Sequence, residues 1–260
     1  MSEYKYDILK MYFGEDYPVT DYLIIHQPSI GDIIEFGETR FFSIASLLCA
    51  NTTSMRLELW DNGYDWNEIT DFELFCSLTS ILTPDQTYLV FGDFDLSKLR
   101  PYRVDDKVIL IDPENADIYI DEEIYNKLVG YLRVMFNIHP KVEKAKGKAT
   151  KEAIIWEERE NLRIQELKQR NIDYQPSVLF PLISSVLCHP GCKYKKNELK
   201  ELGLVEFFDI VERLQVYERS TALLKGIYSG FIDVKGIDKN DVNFMRDLHE
   251  QDLNDLNKLN

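Results

Sequence analysis

Long hydrophobic runs are missing from this chain. No stretch approaches the roughly 18 consecutive apolar residues that a membrane-spanning helix needs, so none of the 260 residues is expected to cross a bilayer. The opening MSEYKYDILKMYF lacks the basic segment and following apolar core of a secretion signal. Cysteine is scarce, with only Cys49, Cys76, Cys188 and Cys192, which points to free thiols in a reducing compartment rather than to a disulfide framework. Positive charge is in deficit: 30 Lys and Arg stand against 45 Asp and Glu, for a net charge of −15. So acidic a chain repels phosphate backbones, and direct nucleic-acid binding is not expected without a segregated basic patch.

Catalytic signatures are missing as well. There is no G-x-S-x-G, no Walker loop and no G-x-G-x-x-G, and Gly147-Lys148 lacks the partners of a phosphate loop. His26 lies in an apolar run, where a core histidine is commoner than a general base. The sharpest cluster is Cys188-His189-Pro190-Gly191-Cys192. Two thiols and an imidazole suit zinc, but a structural zinc site uses four ligands, and Cys49 and Cys76 do not form a second close pair. A helix end, with Cys188 buried and Pro-Gly turning the chain, is the expected reading, and no metal or cofactor is assigned. Carboxylates are plentiful: Glu58, Asp61, Asp65, Glu68, Asp71 and Glu73, then Asp93 and Asp95, then a run from Asp112 to Glu123. The last run fails the calcium-loop pattern, with Ala116 at its fifth position and no glycine at its sixth. Helix caps and solvated faces are the expected use of these groups, and no catalytic residue is assigned.

What is present is patterning. Asp7–Phe13 reads as a short helix and Tyr22–His26 as a short strand. Ile30–Phe36 is ambiguous between helix and strand, and Glu38–Ala50 is helical with Phe41, Phe42, Ala45, Leu48 and Cys49 on one side. Leu57–Trp60 reads as a strand before the Asn62-Gly63 turn. Thr70 and Glu73 form a capping box opening a helix to about Leu82, and Thr83-Pro84 opens another ending near Gly92. Lys107–Ile111 and Ala116–Ile120 read as a hairpin turning at Pro113-Glu114-Asn115. Asp121 then caps a helix to about Asn137, with Ile124, Leu128, Tyr131, Leu132 and Met135 as its stripe.

The fold class expected is α+β, with a mixed domain over 1–138 containing short strands and a hairpin, and an all-helical domain over 152–247. Between them, 139–151 is rich in lysine (141, 144, 146, 148 and 151) and reads as a linker. Thr150 is placed as the cap of a charged, largely exposed helix to about Arg170. Ser177–Cys188 is nearly all apolar and expected to be buried. Asn197 opens a short helix closed by Gly203. The next helix carries Phe207, Ile210, Val211, Leu214 and Tyr217 on one face, with a break before a final helix capped by Ser220 and ended by Gly230. The remaining 248–260 is an acidic tail with Leu248, Leu253, Leu256 and Leu259, either disordered or ordered on a partner.

Two groups of residues are candidates for partner binding: Trp60 and Trp66 around the Asn62-Gly63 turn, which suit a hot spot if exposed, and Phe207, Val211, Leu214 and Tyr217 on the C-terminal amphipathic helix. The stretches Phe180-Pro-Leu-Ile183, Phe207-Phe208-Asp209-x-Val211-x-Arg213-Leu214-Gln215, Leu223-Leu224-x-Gly226-Ile227-Tyr228-Ser229-Gly230 and Ile237-x-Lys239-x-Asp241-x-Asn243-x-Met245, with Pro28-x-Ile30-Gly31-Asp32 and Leu59-Trp60-Asp61-Asn62-Gly63-x-Asp65-Trp66, resemble proteins from the tail-morphogenesis regions of phages that infect Gram-positive bacteria. The resemblance implies a tail assembly chaperone or related tail-module protein, not an enzyme, working in the host cytoplasm or in the virion, with phage tail proteins as partners. Two alternatives stand beside it: a phage protein that binds a host defence protein as inhibitor or trigger, and a metal-dependent nucleic-acid enzyme using the acidic clusters.

Overall fold

A computed structural model describes residues 5–104, 107–170, 176–231 and 235–248. The tail reading for 249–260 lies outside the described residues. The class is α+β: helices dominate and the strands form two small antiparallel sheets.

The chain begins with α1 (Ile8–Tyr12), capped by the Asp7 carboxylate, and a two-residue ribbon pairing β1 (Tyr17–Pro18) with β2 (Ile24–Ile25). The ambiguous 30–36 segment is helix α2 (Ile30–Phe36). The Ser29 hydroxyl accepts from the Asp32 amide at 3.1 Å while Asp32 accepts from the Ser29 amide at 2.9 Å, a reciprocal cap that decides the segment for helix. Next come α3 (Glu38–Leu48) and α4 (Arg56–Asp61). The second replaces the strand expected at Leu57–Trp60. Leu57 and Leu59 are buried on this short helix, and Gly63, at φ +81°, follows it as a left-handed helix stop. Helices α5 (Asp71–Leu78) and α6 (Pro84–Phe91) start where Thr70 and Thr83-Pro84 placed them. At Thr70 the hydroxyl accepts from the Glu73 amide at 3.1 Å and Glu73 accepts from the Thr70 amide at 2.9 Å. Thr70→Ala is expected to cost about 1 kcal/mol, read as a lower urea midpoint with an unchanged slope.

The hairpin exists, but within a three-stranded sheet. Strand β3 (Arg100–Val104), absent from the sequence reading, pairs with β4 (Lys107–Ile111), and β4 pairs with β5 (Tyr119–Ile120) in the register Leu110↔Ile120. Pro101 and two arginines hide β3 from a pattern search. Pro is tolerated here because β3 lies at the sheet edge. Asp121 accepts from the Ile124 amide at 2.8 Å and opens α7 (Glu122–Phe136), the central helix, with Leu128, Val129, Leu132 and Met135 at 1% exposure or less. Arg133 on α7 donates to the carbonyls of Cys49 and Ala50 at the end of α3, satisfying orphan acceptors there.

Helix α8 (Lys148–Gln169) starts after Gly147, not at Thr150. Then come α9 (Leu179–Cys188), the single turn α10 (Glu198–Glu201) and α11 (Leu204–Tyr228). The break expected before Ser220 does not occur, because no Gly or Pro interrupts 215–225. Ser220 is instead buried in mid-helix, its hydroxyl donating to the Asp241 carbonyl at 2.9 Å. The burial expected for α9 is also only partial: Leu179 and Val186 are buried, whereas Phe180 is 72% exposed.

The packing does not divide at 139–151. One core joins Met11, Ile30, Ile33, Phe41, Leu128 and Phe136 to Leu179, Val186, Leu204 and Phe207. The backbone crosses too, with the Ile30 amide donating to the Leu202 carbonyl at 2.9 Å, and Gln27 tying Met11 to Val205. Glu38 accepts from the Ser177 hydroxyl and the Leu179 amide at 2.6 and 2.7 Å, so a carboxylate from α3 caps α9. The lysine-rich segment is docked, not free. Asn51 donates to the Lys141 carbonyl, Thr53 accepts from the Glu143 amide, and Asn67 donates to the carbonyl of buried Ala145.

Candidate protein-interaction site

Two places collect the residues picked from the sequence. The first is a corner where α8 lies on α4, built on a cluster separate from the main core: Leu57, Leu59, Trp66, Leu74, Ala145 and Ile155. Trp66 is 2% exposed and meets half-buried Trp60 edge-on, ring centroids 5.8 Å apart. Trp66 is therefore core in this arrangement, not a displayed anchor. Of the three aromatic residues around that turn, Tyr64 is the well-exposed one. The Nε1 of Trp66 and the Oδ1 of Asn67 are buried without a hydrogen-bond partner.

Charge seats α8 here. Lys151 pairs with Asp65 and Arg159 with Asp61, while Arg56 on α4 reaches Glu158 on α8 and, at 3.0 Å, Glu143. Lys151 also stands 5.7 Å from the Trp66 ring centre, and its hydrogen bond holds the Asp65 carboxyl below the usual carboxylate range. This accounts for much of the acidic cluster: Asp61 and Asp65 are paired, Asp71 accepts from the Thr52 amide, and Glu73 completes a cap. Asp112 likewise accepts from the Glu114 amide and turns the chain.

The second place is α11. Phe207 is fully buried, Val211 and Leu214 pack half-buried on the core, and Tyr217 is exposed, its ring edge-on to Phe244 at 5.6 Å. The four thus face different surroundings, and Phe207 presents nothing to a partner. The distal half of α11 carries a short cover, a 3-10 turn at Lys239–Val242 with the residues after it. Arg213 donates to the carbonyls of Phe244 and Arg246, and Arg219 pairs with Asp241 at 3.2 Å. Beyond it, Tyr228 and Phe231 are 84% and 91% exposed.

The Cys188–Cys192 turn is a structural link. Gly191 donates to His189 Nδ1 at 3.0 Å, which leaves Nε2 to carry the proton toward Glu218 on α11 at 2.9 Å. Cys188 is exposed, and the Cys192 thiol points to the Tyr194 carbonyl at 3.7 Å. Among the described residues no group of three or more His, Cys, Asp or Glu is placed to hold a metal. Burial pushes the thiols of Cys49 and Cys76 up to about 12, which makes them inert packing groups. His26, expected in the core, is instead half-buried, with its Nδ1 2.9 Å from the Asp16 carboxylate. Among the described residues, no helix is long and apolar enough to cross a membrane.

The sequence reading missed Trp156, which is 69% exposed on the outer side of α8. A lone tryptophan in a helix otherwise dominated by charge was the available signal. No family model matches the chain, and no curated protein or solved structure matches it either.

Proposed function

We propose that the protein acts through protein–protein contacts, as a non-enzymatic phage assembly or structural protein of the tail module, working as a tail assembly chaperone in the host cytoplasm or within the virion. The observation that carries this reading is the display of large apolar side chains on, and just past, the helices of a strongly acidic chain: Trp156 on α8, Phe180 on α9, Tyr228 at the end of α11 and Phe231 beyond it. Side chains of this kind anchor helical partners by burying aromatic area, and the surrounding negative charge keeps such a protein dispersed until it meets them. The resemblance of the C-terminal segments to tail-region proteins supplies the biological setting. The test is co-purification of the tagged chain from infected cells under gentle salt. Recovery of a tail protein in stable ratio to the chain is the expected result. Recovery of a host protein alone would replace the assembly reading with interference in host defence.

A further inference from the structure

Helix α8 is long, yet only its first turns are held. Every residue from Asn161 to Arg170 is exposed, and the buried or half-buried positions are Lys151, Ile154, Ile155, Glu158 and Glu160. Residues 151, 155 and 159 recur at i, i+4 and i+8, so they lie along one face of the helix. That face presents a basic residue, two adjacent isoleucines, an acidic residue and a second basic residue. The surface below presents the complement: Asp65 beneath Lys151, Asp61 beneath Arg159, Arg56 beneath Glu158, and an apolar floor of Leu57, Leu59 and Trp66.

Three features make this seat separable. Its apolar cluster is distinct from the main core, so it can open without breaching that core. At its outer edge the Arg159–Asp61 pair is about half exposed, and a pair of that kind holds weakly, whereas Lys151–Asp65 and Arg56–Glu158 lie deeper in the seam. Trp66 Nε1 and Asn67 Oδ1 are buried there without partners, so α8 leaves hydrogen-bonding capacity unused that another occupant could satisfy.

We infer that the surface formed by α4, the 62–69 turn and α5 is a receiving site for an amphipathic helix, that α8 is its intramolecular occupant, and that a partner helix repeating the pattern Lys/Arg-x-x-aliphatic-aliphatic-x-x-Glu-Lys/Arg displaces it. The inference rests on the proposed function only in taking the partner to be a protein. Displacement would extend the binding surface already displayed, because it frees α8 together with Trp156 and uncovers Trp60 and Trp66. The receiving site also selects: a helix with acidic residues in place of Lys151 and Arg159 would face Asp61 and Asp65 and be rejected.

The test uses the full chain and a fluorescein-labelled synthetic peptide of residues 147–170, followed by anisotropy. Lys151→Glu combined with Arg159→Glu weakens the internal occupant without altering the seat. Labelled peptide should bind this variant about three- to tenfold more tightly than it binds the wild type, the range that two partly exposed ion pairs supply. Adding Asp61→Lys and Asp65→Lys should remove the gain. Equal affinity for wild type and variant overturns the inference, as does equal binding of a peptide in which Ile154 and Ile155 are both Asp. Should the double variant fail to fold by circular dichroism, Glu158→Arg, which opposes Arg56 from the half-buried side of the helix, is read by the same criteria. The outcome is independent of which protein is recovered from infected cells.

Discussion

Phe207→Asp is expected to abolish cooperative folding. Phe207 has no exposed surface and sits where the start of α11 packs on the core, in one cluster with Ile30, Ile33 and Leu204. Truncating a buried phenylalanine costs about 3–5 kcal/mol, and an unpaired carboxylate in the hole adds several more unless it is protonated. The total reaches the roughly 5–15 kcal/mol that stabilises a whole domain. Tyr217→Asp, on the same helix but exposed, should stay within about 0.5 kcal/mol, as surface changes do. Thermal melts followed by circular dichroism separate the two. A Phe207→Asp variant melting with the wild-type transition would show that α11 does not contribute to the core.

Trp66→Ala is the second large effect, and it differs in kind. The same truncation arithmetic gives about 3–5 kcal/mol, but the loss falls on the small cluster under α8. Removing the indole strips the floor that Leu57, Leu59 and Ile155 share and takes away the ring beneath Lys151. Local opening should therefore outpace global unfolding. Hydrogen exchange read by mass spectrometry should show faster exchange in α8 and α4, with α7 close to its wild-type protection. Uniform acceleration across α7 would mean that the corner and the core form one cooperative unit.

Local chemistry made much of the fold legible. Thr70, Thr83-Pro84 and Asp121 each open a helix because a short polar side chain or a proline suits the first turn, and that information lies within four residues. What the sequence hid was long-range. Glu38 caps a helix that starts at Leu179, Gln27 reaches Met11 and Val205, and Ser220 finds its acceptor at Asp241. No local pattern encodes such partners, so Ser220 reads as a cap and 139–151 as a linker. The candidate site followed the same rule. The residue types were visible, but which of Trp60, Trp66, Phe207 and Tyr217 faces water depends on what α8 and α11 lie against, which spacing alone does not specify.

All three tryptophans of the chain, at 60, 66 and 156, belong to the α4–α8 corner or to the helix that covers it. Intrinsic tryptophan emission is therefore a local probe already installed by nature, sensitive to one corner of the molecule. The fifteen tyrosines are spread more widely, and the ring stack of Tyr17 on Tyr131 belongs to the main core. Two optical signals from the unlabelled chain thus report on different parts of it, and an offset between their denaturation curves would measure directly how loosely the corner is coupled to the rest.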